Sequence, residues 1–304
     1  MKILMTGSSG LVGTALTESL CGAGHTVCRL LRPQSESSAA GPRACVAVRL
    51  DPKTGELEGA AAGADAVVNL AGTSIASGRW TTQRKRDLYK SRVDTTRALV
   101  KAIGQLDPRP RVLVSASAVG YYGDGGDEEL TEESPVGGDF LSGLARDWEQ
   151  EALRAESLGV RVVCLRFGVV LAKEGGALQK MLLPFRLGAG GRLGSGKQWM
   201  SWLTLEEAVS MARFALENES VREPVNAVSP NPTTNREFTA VLAQALRRPA
   251  IFPAPEFALR LVLGEMADAL LLSSQRAVPK KLSSCGYRFV HPNLLGALAA
   301  VLGK

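Results

Sequence analysis

Short apolar runs of the kind that form buried strands alternate with longer segments of helical pattern along the first 170 residues or so. Strands that are apolar throughout, rather than at every second position, are typical of a parallel sheet covered on both faces. The predicted strands are Lys2–Thr6, Thr26–Leu31, Cys45–Leu50, Ala66–Leu70, Arg111–Ser115 and Val160–Phe167. The helices predicted between them include Leu11–Gly24, Gln83–Gly104 and Gly143–Leu158. The alternation predicts an α/β fold with a doubly wound parallel sheet of the Rossmann type.

The regular alternation fades after about residue 170, where connections rich in glycine and proline separate shorter helices. We therefore expect a sheet domain over residues 1–170, which segments of 197–230 could rejoin, and a smaller C-terminal lobe over 171–304. The tail over 253–304 is expected to form a helix, a loop and a short strand. Its apolar stretch, Phe257–Leu272, is interrupted by charged residues and therefore predicts an amphipathic helix rather than a membrane span.

The first predicted strand runs directly into a glycine-rich turn that opens the first helix. Gly7 would permit the tight turn, Gly10 would let a pyrophosphate approach the backbone, and Gly13 would let the helix pack close to the strand. Glycines also mark ordinary turns, but this turn lies inside a βαβ unit, which favours a dinucleotide site on the helix N-terminus. The predicted cofactor contacts here are Thr6, Gly7, Ser9, Gly10, Leu11, Val12 and Gly13.

The end of the second predicted strand indicates which dinucleotide binds. An acidic residue about 20 positions beyond the glycines would bind the ribose 2′-hydroxyl of NAD. Here the strand carries Arg29 and is followed by Arg32. Because a guanidinium suits the 2′-phosphate, we expect NADP(H) rather than NAD(H), with Arg32 as the first candidate ligand and Arg29 as the second. Either arginine could instead be a solvated charge at the strand end.

Composition excludes several other classes of protein. The 304 residues are 45% hydrophobic and 22% charged, as expected of a globular protein with a sizeable core. The net charge of +6 is scattered, and no nucleic-acid-binding motif accompanies it, so we expect no nucleic-acid partner. Five cysteines without CxxC spacing and only two histidines disfavour disulfides and a metal site. With a strand predicted from Lys2, a signal peptide is not expected, and the predicted location is the cytoplasm.

Several motifs in order resemble the extended short-chain dehydrogenase/reductases, in particular an atypical sugar-nucleotide epimerase branch with a C-terminal domain of unknown function. The resemblance rests on the glycine turn, Asn69-Leu70-Ala71-Gly72, Ser91-Arg92-Val93, Trp148-Glu149, Arg166-Phe167-Gly168-Val169-Val170 and the glycine-rich segment 183–196. It covers essentially the whole chain. It implies that Asp51 holds the adenine and that the strand end at Arg166 meets the nicotinamide. The further cofactor contacts it implies are Asp51, Asn69, Leu70, Ala71, Gly72, Arg92, Ser115, Ala116, Arg166, Gly168 and Val169.

The same resemblance implies a catalytic serine followed by a tyrosine and a lysine four residues apart on one helix. Ser117, in Ser115-Ala116-Ser117-Ala118-Val119-Gly120-Tyr121-Tyr122-Gly123, stands at the serine position. The tyrosine and lysine positions fall at Leu141 and Ala145, so the usual acid–base pair is missing. Tyr121 or Tyr122 could replace it, or could simply pack beside the cleft. Other residues that could take this role are Ser142, Arg146, Lys85 and Lys90.

The glycine-dense segment 188–197 could close over a substrate or form a flexible surface lid. Backbone N–H groups there, with Arg192 and Lys197, could hold a phosphate or carboxylate. The predicted substrate-pocket residues are Gly194, Ser195, Gln198 and Trp199.

Two hypotheses about function remain open. One is an NADP(H)-dependent oxidoreductase or epimerase acting on a small carbonyl, hydroxyl or nucleotide-sugar substrate. The other is a non-catalytic NADP(H)-binding redox sensor or regulator of a partner protein. A homodimer is compatible with the tail, and the sequence does not decide it.

Overall fold

The structure is a computed structural model that describes residues 1–31, 45–51, 54–58 and 61–303. The strands are β1 (Lys2–Thr6), β2 (Thr26–Leu31), β3 (Cys45–Leu50), β4 (Leu57–Glu58), β5 (Ala66–Asn69), β6 (Val112–Ala118), β7 (Glu129–Leu130), β8 (Arg161–Phe167), β9 (Val169–Leu171), β10 (Trp199–Met200), β11 (Trp202–Thr204), β12 (Glu223–Ala227), β13 (Thr233–Thr234) and β14 (Arg276–Ala277). The α-helices are α1 (Leu11–Gly22), α2 (Thr82–Tyr89), α3 (Thr95–Gln105), α4 (Phe140–Leu153), α5 (Gly176–Arg186), α6 (Leu205–Glu217), α7 (Asn235–Leu246), α8 (Glu256–Leu263), α9 (Glu265–Ala267), α10 (Lys280–Ser284) and α11 (Leu294–Leu302). Short 3₁₀ or π turns occupy Lys90–Asp94, Val119–Tyr122, Arg154–Leu158 and Asp268–Leu272.

The main sheet has the strand order β12-β8-β6-β5-β1-β2-β3-β4. All neighbouring pairs are parallel except β3 and β4. The chain moves outward from β1 to β3, then returns to β5 and moves the other way. This confirms the predicted doubly wound sheet, and it places a crevice beyond the carboxyl ends of β1 and β5, where folds of this type bind ligands.

Both faces of the sheet are covered, as its apolar strands predict. One face packs against α1 and α6, with Leu16 and Met211 fully buried between helix and sheet. The opposite face packs against α3 and α4, where Leu99 and Ala152 are fully buried. Residues 223–227 return to the sheet as its edge strand β12. The division into a domain of 1–170 and a lobe of 171–304 stays a prediction.

A further apolar cluster lies among α5, β11, α7 and α11, with Trp202 as its largest fully buried side chain. The tail contains more helix than the sequence analysis predicted, since α10 and α11 follow the short strand β14. The expected amphipathic helix over 257–272 is interrupted at Gly264, whose φ of +61° favours glycine. In the part of the chain that the structure describes, no helix combines the length and apolar character needed to cross a membrane.

One buried carboxylate attaches the tail to α6. Glu207 is fully buried and accepts hydrogen bonds from the Tyr287 hydroxyl and from the backbone N–H groups of Val290 and His291. The two backbone bonds measure 2.9 and 2.8 Å. Because a buried carboxylate is costly without partners, these bonds fix the path of residues 287–291 over the sheet domain.

We expect Tyr287→Phe to lower the free energy of unfolding by about 1–3 kcal/mol, because the substitution removes one donor from a buried charge. Urea denaturation followed by circular dichroism measures this. Tyr89→Phe is the matched control, since the Tyr89 hydroxyl meets Asp147 only in a half-buried place. Equal losses in the two variants would contradict the attachment described here.

Candidate cofactor and active site

The glycine turn after β1 is a cradle that side chains would fill. Gly7 has a φ of +70°, and a Cβ there would lie 2.3 Å from the carbonyl oxygen of Leu70. A Cβ at Gly13 would lie 2.1 Å from the carbonyl oxygen of Gly7. Helix α1 begins at Leu11 after Gly10, which has no side chain to cap the first N–H groups. Those N–H groups and the helix dipole suit the pyrophosphate of a dinucleotide, so the residues present fit the expected cofactor.

A row of polar side chains closes the strand ends behind the turn. The Thr6 hydroxyl donates to Asn69 Oδ1 over 2.7 Å. Asn69 Nδ2 donates to Thr96 Oγ1 over 2.8 Å and to Ser115 Oγ over 3.1 Å. Thr6, Asn69 and Ser115 lie side by side on β1, β5 and β6 because the parallel register aligns them, and Thr96 joins them from α3. The row holds the three strand ends together below the crevice.

Arg29 is the candidate 2′-phosphate ligand that the structure places at the turn. Its Nε donates to Ser8 Oγ over 3.1 Å, so the guanidinium reaches from β2 to the glycine turn. Arg32, the first candidate from the sequence, lies outside the described residues. Asp51 follows β3, and its Oδ1 accepts from the backbone of Thr54 at 3.4 Å.

The polypeptide beyond β5 is held by Arg92. Its Nη2 donates to the Thr73 carbonyl over 3.0 Å, and its guanidinium lies over the Trp148 ring. A Cβ at Gly72 would lie 3.1 Å from the guanidinium carbon of Arg92. The glycine therefore leaves room for the Arg92 side chain. Burial, with the nearby charge of Arg84, lowers the pKa of Arg92 to about 10. Arg92 remains a cation at neutral pH.

A buried ion pair lies beneath the predicted active site. Arg166 on β8 donates from Nε and Nη2 to the two carboxylate oxygens of Glu149 on α4, each over 2.8 Å. The Ser117 hydroxyl donates to the same carboxylate over 2.6 Å. Burial alone would lower the pKa of Arg166, but the hydrogen bonds and the charge of Glu149 outweigh it and raise this pKa. Ser117 and Arg166 are register neighbours, so the pair links β6, β8 and α4.

Tyr122 belongs to the same network. Its hydroxyl accepts from Arg166 Nη1 over 2.9 Å and donates to Asn226 Oδ1 over 2.7 Å. Burial raises the pKa of Tyr122 to about 12, although Arg166 and Asn226 act in the opposite direction. The phenol is therefore neutral at physiological pH, and its proton is already donated to a protein group.

Tyr121 has a different environment from its neighbour. Its ring lies against the Arg166 guanidinium, 3.6 Å from the guanidinium carbon to the ring centroid, and meets Tyr122 edge to face. The residue is partly exposed. Among the residues that the structure describes, the Tyr121 hydroxyl makes no hydrogen bond. The stacking orients the ring while the phenol proton stays available.

The two positions where the family's tyrosine and lysine would stand carry apolar side chains, and both side chains lie inside the protein. Leu141 and Ala145 are buried on α4. Three of the other proposed substitutes already have partners: Ser142 bonds to Gly120 and Asp139, Arg146 pairs with Asp147, and Lys85 pairs with Glu265. Lys90 is exposed at the end of α2.

The strand end at Gly168 packs closely against the backbone of Ser201, between β10 and β11. A Cβ at Gly168 would lie 2.5 Å from the Ser201 carbonyl oxygen, which accepts from the backbone N–H of Val169 over 2.8 Å. Ala116 is buried next to Ser117 on β6. The structure thus brings the predicted nicotinamide-end residues of β6 and β8 together at one edge of the sheet.

The predicted substrate-pocket residues lie between α5 and α7, and the side chains of Gln198 and Trp199 bond to segments distant in sequence. Gln198 is buried, and its amide donates to the carbonyls of Leu193 and Leu271. The Trp199 indole donates to Asp127 over 3.0 Å. Gly194 adopts a φ of +55° next to Glu256, and Ser195 is exposed. Contact of these four residues with a substrate stays a prediction.

The fold and the site define a dinucleotide-binding protein of the short-chain dehydrogenase/reductase type. A family model described as the NAD dependent epimerase/dehydratase family matches residues 3–228, and a domain of unknown function matches residues 254–301. The chain therefore belongs to the NAD dependent epimerase/dehydratase family. This confirms the resemblance drawn from the sequence motifs, including its C-terminal domain.

Relatives match along the whole chain. Epimerase family protein YfhF of Bacillus subtilis is 39% identical over 303 residues, which cover 99% of this chain and 98% of the relative. Epimerase family protein SDR39U1 of Mus musculus is 38% identical, with 99% and 100% covered. The crystal structure of human epimerase family protein SDR39U1 (isoform 2) with NADPH superposes with a TM-score of 0.89 at 35% identity, covering all of both chains. UDP-glucuronic acid 4-epimerase of Bacillus cereus shares the fold, with a TM-score of 0.74 at 16% identity over 100% of this chain and 98% of that one.

Glu149→Gln tests the buried ion pair. We expect the variant to lose about 3–5 kcal/mol of unfolding free energy, because it leaves a buried guanidinium without its counter-charge. The matched control is Glu217→Gln, which removes an exposed pair with Arg213 and should cost about 0–1 kcal/mol. Urea denaturation compares the two. If Glu149→Gln loses no more than the control, the pair does not hold the strand ends.

Proposed function

We propose that this protein is an NADP(H)-dependent oxidoreductase or epimerase acting on a small carbonyl, hydroxyl or nucleotide-sugar substrate. In this proposal, Tyr121 replaces the missing tyrosine–lysine pair. The observation that carries the catalytic assignment is the difference between the two adjacent tyrosines: Tyr122 has committed its proton to Asn226, whereas the Tyr121 hydroxyl has no partner among the described residues.

The cofactor assignment is supported by the glycine cradle, by Arg29 and by the human relative, whose crystal structure contains NADPH. Gly7, Gly10 and Gly13 would receive the pyrophosphate at the start of α1, and Arg29 would bind the 2′-phosphate. NADP(H) supplies or accepts a hydride when bound. The fit distinguishes this cofactor from NAD, whose ribose hydroxyl would require an acidic residue on β2.

The roles of the side chains follow from where their protons lie. The Ser117 hydroxyl donates its hydrogen bond to Glu149, so its oxygen can accept a hydrogen bond from a substrate hydroxyl but does not protonate a carbonyl. Tyr121 can donate its phenol proton to a substrate oxygen or take one back in the reverse direction. The guanidinium of Arg166 keeps the Tyr121 ring in a fixed orientation, which is a positioning role.

A second candidate function is a non-catalytic NADP(H)-binding sensor or partner regulator. The apolar side chains at both positions of the usual pair, Leu141 and Ala145, favour it. In that case the cofactor cradle would be retained while no proton carrier would be needed. The cytoplasmic location stays a prediction from the sequence, and the sequence does not decide between a monomer and a homodimer.

Arg29→Ala should weaken NADPH binding by about tenfold or more and leave NADH binding unchanged, because a charge-assisted hydrogen bond contributes about 1.5–3 kcal/mol. Titration of nucleotide fluorescence measures both dissociation constants. Arg32→Ala is the parallel variant, and a larger effect there would assign the 2′-phosphate to Arg32 instead. Equal affinities of the unaltered protein for NADPH and NADH would contradict the cofactor assignment.

Tyr121→Phe should reduce kcat by about 100-fold or more, in the range typical of a lost acid–base group, while NADPH affinity stays the same. Turnover is measured by nicotinamide absorbance with a panel of carbonyl compounds, alcohols and nucleotide sugars. Tyr122→Phe is the control: it should lower the free energy of unfolding by about 1–3 kcal/mol and keep turnover. A protein that binds NADPH but turns over no member of the panel would favour the sensor, and full activity of Tyr121→Phe would remove Tyr121 from the mechanism.

A further inference from the structure

Two arginines converge on the loop that leaves β5. Arg92 Nη2 donates to the carbonyl of Thr73, and Arg84 Nη2 donates to the carbonyl of the next residue, Ser74. The two guanidinium groups therefore bind one short stretch of backbone. Burial lowers the pKa of Arg92, and the charge of Arg84 acts in the same direction. We call Arg84 and Arg92 the arginine pair.

The arginine pair has no acidic partner. Neither guanidinium forms an ion pair with any carboxylate of the described residues, although other cations of the chain do. Lys85, the residue after Arg84, pairs with Glu265 over 2.6 Å. The Nε atom of Arg84 is buried and has no acceptor in the described part of the chain. The two arginines are half-buried, and their acceptors are backbone carbonyls and the Ser91 hydroxyl, so no acidic side chain of the described residues balances their charge.

The surroundings of the arginine pair keep this charge in place. The Arg92 guanidinium lies over the ring of Trp148 and against Gly72, where a Cβ would crowd it at 3.1 Å. The hydroxyls of Thr73 and Ser91 lie 3.2 Å apart beside it. From α5, Lys180 Nζ donates to the carbonyl of Ala76 over 3.1 Å, which brings a third cation to the same loop.

The location relates the arginine pair to the cleft and separates it from the 2′-phosphate site. Gly72 follows Leu70 and Ala71, whose backbone closes against the glycine turn at Gly7. Arg29 approaches that turn from β2, on one side of β1, whereas the arginine pair lies beyond β5, on the other side. Adjacent strands are about 4.8 Å apart, so the two places are separated by roughly two strand spacings. An anion at the arginine pair is thus a different group from the 2′-phosphate.

We propose that Arg84 and Arg92 form the subsite for an anionic group of the substrate, a carboxylate or a phosphate. The planar donor fork of a guanidinium matches the oxygen pairs of both groups, and a bound anion would supply the missing counter-charge. This inference rests on the proposed function, because it assigns the arginine pair to the substrate of the same cleft. It replaces the cofactor contact that the family resemblance implied for Arg92.

The test uses the NADPH-saturated protein and isothermal titration calorimetry, with inorganic phosphate and succinate as separate probes. At least one probe should bind, and its dissociation constant should rise by about tenfold in Arg84→Gln and in Arg92→Gln, as expected when a charge-assisted hydrogen bond is lost. The control Arg86→Gln removes the same charge from an exposed position of α2 and should change the constant less than about twofold. The probe that responds identifies the anion as a phosphate or a carboxylate.

Circular dichroism shows that each variant is folded, and the affinity for NADPH, titrated separately, identifies the source of the anion. An unchanged affinity assigns the arginine pair to the substrate, whereas a parallel loss of NADPH binding assigns it to the cofactor and overturns the proposal. Absence of binding by either probe, or equal binding by all variants, also overturns it. If the protein binds the anion but turns over no substrate, only the proposed catalytic function is contradicted. If the protein turns over a substrate but the variants bind the anion as well as the unaltered protein does, only this subsite is contradicted.

Discussion

The arrangement of the site depends on one buried interaction, the double hydrogen-bonded ion pair between Glu149 and Arg166. A guanidinium and a carboxylate can remain buried together only when the geometry is good and the remaining polar atoms have partners. Ser117 and Tyr122 supply those partners, and Asn226 extends the network to the edge strand β12. The pair therefore fixes the ends of β6, β8 and β12 against α4 at the place where the sheet meets the cleft.

The same network divides the polar groups at the cleft into two sets. Ser117 and Tyr122 hold their protons toward protein acceptors, so their first role is structural. Tyr121, stacked against the Arg166 guanidinium, is oriented but keeps its hydroxyl unbonded within the described residues. The loss of the usual tyrosine and lysine is thus accompanied by a nearby phenol in a defined position. Binding of the cofactor depends on a separate part of the molecule, the glycine turn.

Much of the fold follows from local sequence pattern. The strands β1, β2 and β3 begin and end where their apolar runs do, and the glycine spacing predicted the cradle before α1. Helix α11 was missed because Leu294–Leu302 is apolar on nearly all sides, so it has no helical period to detect. The site was less predictable, because partners distant in sequence determine it. Nothing local to Ser117 indicates that its proton goes to Glu149, 32 residues later, and nothing local to Arg92 shows that it lacks a carboxylate.

The most direct test of this account is a crystal structure of the protein with NADPH. The account predicts the 2′-phosphate on Arg29 and the pyrophosphate at the N-terminus of α1. It also predicts the Tyr121 hydroxyl about 3–6 Å from the nicotinamide C4 atom, close enough for one carbonyl group to lie between them. A Tyr121 hydroxyl bonded to protein atoms and directed away from the nicotinamide would contradict the account, even with the cofactor in place.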